Sequence, residues 1–276
     1  MKRIVVPTDF SPNAQRALHY AIVVANALNA AIHIVHTINT KGTGGRYLTV
    51  DDLIHNEREE KMQDLIHSIK KLLAQGVLLS SSIEHDSTVD GILNAVATKR
   101  GDIVIMGTQG ASGLKRWILG STTVEFLKRS TVPVLVVPAE YEAMDIRHIA
   151  LAIDESEVSK LSLLEPAILL AKKFDASISL VHVAHEENVG SETVGTYLKE
   201  HMDKVEMPYT LHRLHGNSVS KILEDFSERE NVDILCLLNQ SERRSWWGNL
   251  LHDSVTNELA YGSKKPLLVI KIPADI

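Results

Sequence analysis

After the aliphatic run Asp102-Ile103-Val104-Ile105-Met106, the chain reads Gly107-Thr108-Gln109-Gly110-Ala111-Ser112-Gly113, then Leu114 to Leu119, then Gly120-Ser121-Thr122-Thr123. Glycines admit positive φ and close backbone approach, and a Gly-Ser pair opening a helix can aim free N–H groups and a hydroxyl at an anion. That is the chemistry of a phosphate cradle. A glycine-rich turn also serves purely steric ends, so the loop taken alone divides evenly between the two readings. Neither Gly-Lys-Ser/Thr nor a GxGxxG after the first strand is present, so the two commonest cradles are excluded. The second chemically suggestive group is Asp9, which follows Ile4-Val5-Val6-Pro7-Thr8. A carboxylate there suits accepting hydrogen bonds from a ligand. Its competing role is to fix the turn into a helix opened by Ser11-Pro12. Lys115 and Arg116 read as a solvated pair on the loop. His212 and His215 face opposite sides of a strand and make a poor chelate, and no Cys/His cluster has zinc spacing, so no metal site is expected.

The elements that must position these groups occur twice. Arg3 to Asp9 is echoed by His148-Ile149-Ala150-Leu151-Ala152-Ile153-Asp154, and each is followed by a stretch with helical apolar spacing. Then come strands Ile32-His33-Ile34-Val35-His36 and Ile178-Ser179-Leu180-Val181-His182. Asp102 to Met106 matches Asp233-Ile234-Leu235-Cys236-Leu237, and each copy closes on a proline-led strand, Pro133 to Val137 and Pro266 to Ile270. Continuous aliphatic strands alternating with helices give an α/β fold: a parallel sheet covered on both faces, binding ligands beyond the carboxyl ends of its strands. The spacing divides the chain into domains 1–138 and 146–276, joined by a short linker at 139–145 with too little Gly or Ser for a free tether. His36 and His182 recur at equivalent places, so the repeat itself assigns them to the core.

The spacing Gly107, Gly110, Gly120-Ser121, with the opening Pro7-Thr8-Asp9-Phe10-Ser11, resembles the universal stress protein family. The resemblance covers both halves, and the first half carries the family's whole ATP-binding signature. It implies five-stranded doubly wound domains of strand order 3-2-1-4-5. It also implies ATP, or AMP or ADP with the same adenosine contacts, as ligand, with Mg2+ as companion of ATP. By this resemblance Pro7, Thr8 and Asp9 line the adenosine end, with Thr37 close to the base. Met106, Gly107, Gly110, Gly120, Ser121 and Thr122 hold ribose and phosphates. The edge strands that pair domains into dimers in that family, here 133–137 and 266–270, would meet inside one chain as an internal pseudo-dimer. A homodimer of whole chains and a protein partner met under stress stay open, the partner unidentified.

The second half departs from the signature. Leu238 and Ser241 replace the first two glycines, and Asp253 replaces the glycine of Gly-Ser, so Cβ atoms and a carboxylate stand where backbone and phosphate belong. One site per chain, in the first half, is the expectation. Trp246-Trp247 reads as packing over the altered loop rather than as a ligand cover. No catalytic triad or dyad is legible, which favours a nucleotide-binding regulatory protein over an enzyme. The alternatives are slow ATP hydrolysis or phosphotransfer onto Ser121, Thr122 or Thr123, and a scaffold that binds no nucleotide. A net charge of -6 gives no basic field for nucleic acid. A single cysteine, Cys236, no apolar run of about 20 residues and no signal-like start together suggest a cytoplasmic protein without a membrane segment.

Overall fold

The computed structural model describes residues 1–39, 48–108, 120–153, 163–184, 202, 207–240 and 263–272. The first half runs β1 (Arg3–Pro7), α1 (Pro12–Leu28), β2 (Ala31–Thr37), α2 (Leu48–Lys70), β3 (Leu79–Glu84), α3 (Thr88–Lys99), β4 (Ile103–Gly107), α4 (Ser121–Arg129) and β5 (Val134–Val137). The second half runs β6 (His148–Ala152), α5 (Glu165–Phe174), β7 (Ser177–Ala184), β8 (Tyr209–His215), α6 (Val219–Arg229), β9 (Ile234–Gln240) and β10 (Leu267–Ile272). The helices expected between β7 and β8 and between β9 and β10 lie outside the described residues.

The strands form one sheet of order β3-β2-β1-β4-β5-β10-β9-β6-β7-β8. Each half follows the expected 3-2-1-4-5 order and is parallel throughout; the two halves meet where β5 and β10 pair antiparallel, Leu135 opposite Leu268. The expected internal pseudo-dimer is this seam, and it turns two five-stranded sheets into a single ten-stranded one. Pairing the last strand of each copy with its counterpart satisfies two edges that would otherwise expose unpaired N–H and C=O groups.

Strand alternation sorts the core into two layers. Ile4, Val6, Ile32, Ile34, Leu135, Leu151, Leu180, Cys236 and Leu268 face α1, α2 and α5, and Tyr20, Leu18 and Ile69 fill the same cluster. Val5, Val35, Val104, Val136, Val181 and Val269 face α3, α4 and α6, against Ile92, Phe126 and Phe226. Each layer continues across the seam, so neither half owns a separate core. The amino ends of β1 and β6 are held alike: the Asp102 carboxylate accepts from the Lys2 and Arg3 amides at 2.6 and 2.9 Å, and Asp233 from Arg147 and His148 at 2.7 and 3.0 Å. This explains why an aspartate recurs before the fourth strand of each repeat.

The segment between the halves is packed. Tyr141 is 7% exposed, its carbonyl accepts from Arg16 at 3.3 Å, and its ring meets Tyr20 edge-on at 6.0 Å. Tyr20 is fully buried, and its hydroxyl has no hydrogen-bond partner. Burial raises the pKa of this phenol, with Tyr141 and Asp233 adding to the effect. A buried unpaired hydroxyl costs its desolvation without return. Tyr20→Phe is therefore expected to raise the urea midpoint, corresponding to about 1 kcal/mol. A lowered midpoint would reveal a hydrogen bond to Tyr20 that this reading lacks.

Candidate functional site

The carboxyl ends of β1, β2 and β4 and the start of α4 surround a cavity of about 270 Å³, near the lower end of the ~300–1,000 Å³ usual for small-molecule sites. Pro7, Thr8 and Asp9 line it from β1, Thr37 from β2, Met106 and Gly107 from β4, and Gly120, Ser121 and Thr122 from the entry to α4. Nine of the ten residues singled out in the sequence thus share one cavity. The tenth, Gly110, lies outside the described residues, as do Lys115, Arg116 and most of the second-half loop after β9.

The turn after β1 is fixed locally. The Thr8 amide donates to Val35 O at 2.9 Å, and the Thr8 hydroxyl accepts from the Phe10 amide at 3.0 Å. Phe10 takes a φ of 65°, an uncommon conformation for a side chain of its size. Asp9 Oδ1 accepts from the Ser11 amide at 3.0 Å, and Ser11 caps α1 by accepting from Ala14 at 3.2 Å, with Pro12 next in line. The structural role for Asp9 is therefore realised in the same residue that lines the cavity.

On the opposite side the 109–119 segment leaves and rejoins at one point, because the Gly120 amide donates to Thr108 O at 2.6 Å. Gly120 is the N-cap of α4 and brings no capping side chain, so the first-turn amides of that helix are not engaged by a cap. The Thr123 hydroxyl donates to Gly107 O at 3.1 Å, tying the helix start to the end of β4. Gly107 itself has a steric reason: a Cβ there would lie 2.9 Å from the Asn13 side chain of α1.

Sequence reasoning missed several residues of the cavity. Ala14, Val35 and Thr123 also line it, and Thr88 and Ile92 enter from α3. The signal for α3 was the Ser87-x-x-Asp90 capping pattern: Ser87 accepts from the Asp90 amide at 3.3 Å and marks a helix start beyond β3. Gly91 of that helix backs Thr37, since a Cβ there would come within 2.7 Å of the Thr37 methyl. His36, read from the repeat as a core residue, is 8% exposed and lines the cavity as well. Its Nδ1 lies 2.8 Å from Thr8 O, and His182 makes the matching contact to Ile153 O at 3.2 Å, so the shared bond accounts for the recurrence. His212 is half-buried against Phe226, while His215 is exposed on the other side of β8.

Two doubly wound α/β domains joined edge to edge, with a cleft at the strand ends of the first, define the class: a tandem parallel-sheet protein with its site at the topological switch point. The chain belongs to the universal stress protein family, whose family model matches it twice, over residues 1–138 and 145–271. A universal stress protein of Methanocaldococcus jannaschii is 29% identical over 138 residues, 49% of this chain and 81% of that protein. The universal stress protein YxiE of Bacillus subtilis is 27% identical over 144 residues, 49% of this chain and 97% of its own length. The crystal structure of a universal stress protein from Archaeoglobus fulgidus shares the whole architecture, with a TM-score of 0.77 at 21% identity, covering 99% of this chain and 97% of that one. Among the described residues no helix is long and apolar enough to cross a membrane.

Proposed function

We propose that the chain is an adenine-nucleotide-binding regulatory protein of the stress response, with one ATP site, in domain 1–138, and a second domain, 146–276, that binds no ATP. The observation that carries the reading is the convergence of Pro7-Thr8-Asp9, Thr37, Met106-Gly107 and Gly120-Ser121-Thr122 on a single cavity. Adenosine would lie against the β1 and β2 ends, where the polar groups are Asp9, Thr37 and the Thr8 backbone. The phosphates would lie at the α4 entrance, where unengaged first-turn amides and the helix dipole favour negative charge. AMP and ADP share the adenosine end. Mg2+ enters only as counter-ion to ATP's own phosphates. Hydrolysis is not part of this reading; binding would act by ordering the loop between Gly107 and Gly120 and so altering contact with a protein partner.

The test is to quantify adenine nucleotide released from freshly denatured protein, then titrate the stripped protein with ATP. About one equivalent per chain is expected. Ser121→Asp should keep the fold, because an acidic residue in a helix's first turn is favourable, yet weaken ATP binding at least roughly tenfold by opposing the phosphates. Two equivalents would overturn the assignment of one site. No binding at millimolar ATP, or ATP binding unaffected in Ser121→Asp, would overturn the nucleotide reading or its orientation respectively.

A further inference from the structure

His36 lines the cavity while 8% exposed, and its two ring nitrogens are in different situations. The Thr8 carbonyl can only accept, so the Nδ1 at 2.8 Å carries the proton and donates. In the neutral ring this leaves Nε2 as a lone-pair acceptor, and no described residue donates to it. The second-half counterpart explains why Nδ1 is tied down; it supplies no reason for an unspent acceptor in a side chain that also lines a cavity. Buried polar atoms are ordinarily paired, and the group that would pair with this one must be a donor.

We propose that Nε2 of His36 accepts a hydrogen bond from a hydroxyl or exocyclic amine of the bound ligand, which makes His36 a further binding residue at the adenosine end. The inference rests on the nucleotide reading above. Protonation converts Nε2 from acceptor to donor, so a ligand donor in that position opposes it. The groups facing the ring are the Thr8 carbonyl and Asp9 from the turn after β1, Arg58 and Lys61 from α2, and the Phe10 ring at 4.6 Å. Burial lowers the pKa of His36, the Thr8 bond and Asp9 oppose that, and Arg58 and Lys61 reinforce it. Ligand affinity is thus level through neutral pH and falls as acid protonates the ring.

His36→Asn keeps an amide donor near the Nδ1 position and deletes Nε2; His36→Gln does the reverse. ATP is titrated against each at neutral pH. Adenosine, which has no ionising phosphate, is titrated from pH 7.5 to 5. Wild type should lose adenosine affinity towards pH 5, and His36→Asn should melt near wild type, bind ATP about tenfold more weakly and lose the acid dependence. His36→Gln should retain more affinity than His36→Asn. Wild-type binding with no pH dependence, or His36→Asn within twofold of wild type, overturns the role of His36 and leaves the nucleotide site standing. Wild type that binds neither ligand overturns the nucleotide reading and this inference with it. Should His36→Asn fail to fold, the wild-type adenosine profile and His36→Gln decide the matter by the same criteria.

Discussion

Leu268→Ala is expected to lower the stability of both halves together, by about 3 kcal/mol, although the residue lies within ten positions of the chain's last residue. Leu268 is fully buried in β10 and faces Leu135 of β5, also fully buried, across the antiparallel seam. Both belong to the cluster that runs from Ile4 and Ile32 to Ile178 and Leu180. Truncating one removes apolar contact and leaves a void in a layer that both halves share. Because β5 has only four residues, few other strand contacts are available to hold the seam. Urea unfolding followed by far-ultraviolet circular dichroism should show one transition, shifted as a whole. Hydrogen exchange should show amides of β1 and β6 losing protection in parallel. If β6 amides became labile while β1 amides kept wild-type protection, the halves would be independent units and the shared-core account would be wrong. Adding Leu135→Ala should cost less than the sum of the two single changes, since the second truncation enlarges an existing void.

The repeat made most of this architecture legible. Paired aliphatic strands with matching Asp102 and Asp233 gave the strand order, and the proline-led strands gave the seam. Asp102 and Asp233 illustrate why matching residues need structure for their meaning: both bind the amide pair at the amino end of the first strand of their half, far from any ligand. The site was legible where it is built from motif residues at the ends of β1, β2 and β4. What was not legible came from helices laid across those ends. Thr88 and Ile92 reach the cavity only because α3 packs over β2 and β1, and Gly91 matters because its missing Cβ leaves room for the Thr37 methyl. Such contacts depend on packing distance between elements distant in sequence, which periodicity does not encode. Gly107 shows a related ambiguity: spacing placed it in a ligand cradle, and the structure also gives it a packing duty against Asn13. His36 likewise carries two duties, one shared with His182 and one confined to the first half, and a repeat comparison can reveal only the shared one.

Acid should destabilise the fold well before most carboxylates titrate, because His33 is buried uncharged. The side chain is 0% exposed in the middle of β2, with Ser80 Oγ 2.9 Å from Nδ1 and Ser82 Oγ 3.1 Å from Nε2 across the β2–β3 pairing. Desolvation lowers its pKa from 6.5 to about 4, with Lys99 and Arg3 reinforcing the effect and Glu84 opposing it. The unfolded chain therefore binds a proton between these values that the folded chain does not. Stability from this group is fully present above about pH 6.5 and is lost progressively as pH falls toward 4, by up to about 3 kcal/mol. His36, also lowered mainly by burial, acts in the same direction. The second half fills the corresponding place differently: Ser179 occupies the position of His33 and meets His148 Nε2 at 2.8 Å and Thr210 Oγ1 at 3.0 Å. The sensitivity should accordingly follow His33 and not its counterpart. Urea midpoints measured from pH 7.5 to 4.5 are expected to fall steeply in wild type, whereas His33→Gln, less stable at neutral pH, should show a shallower slope. Identical slopes for the two proteins would mean that the buried imidazole is not what the acid attacks.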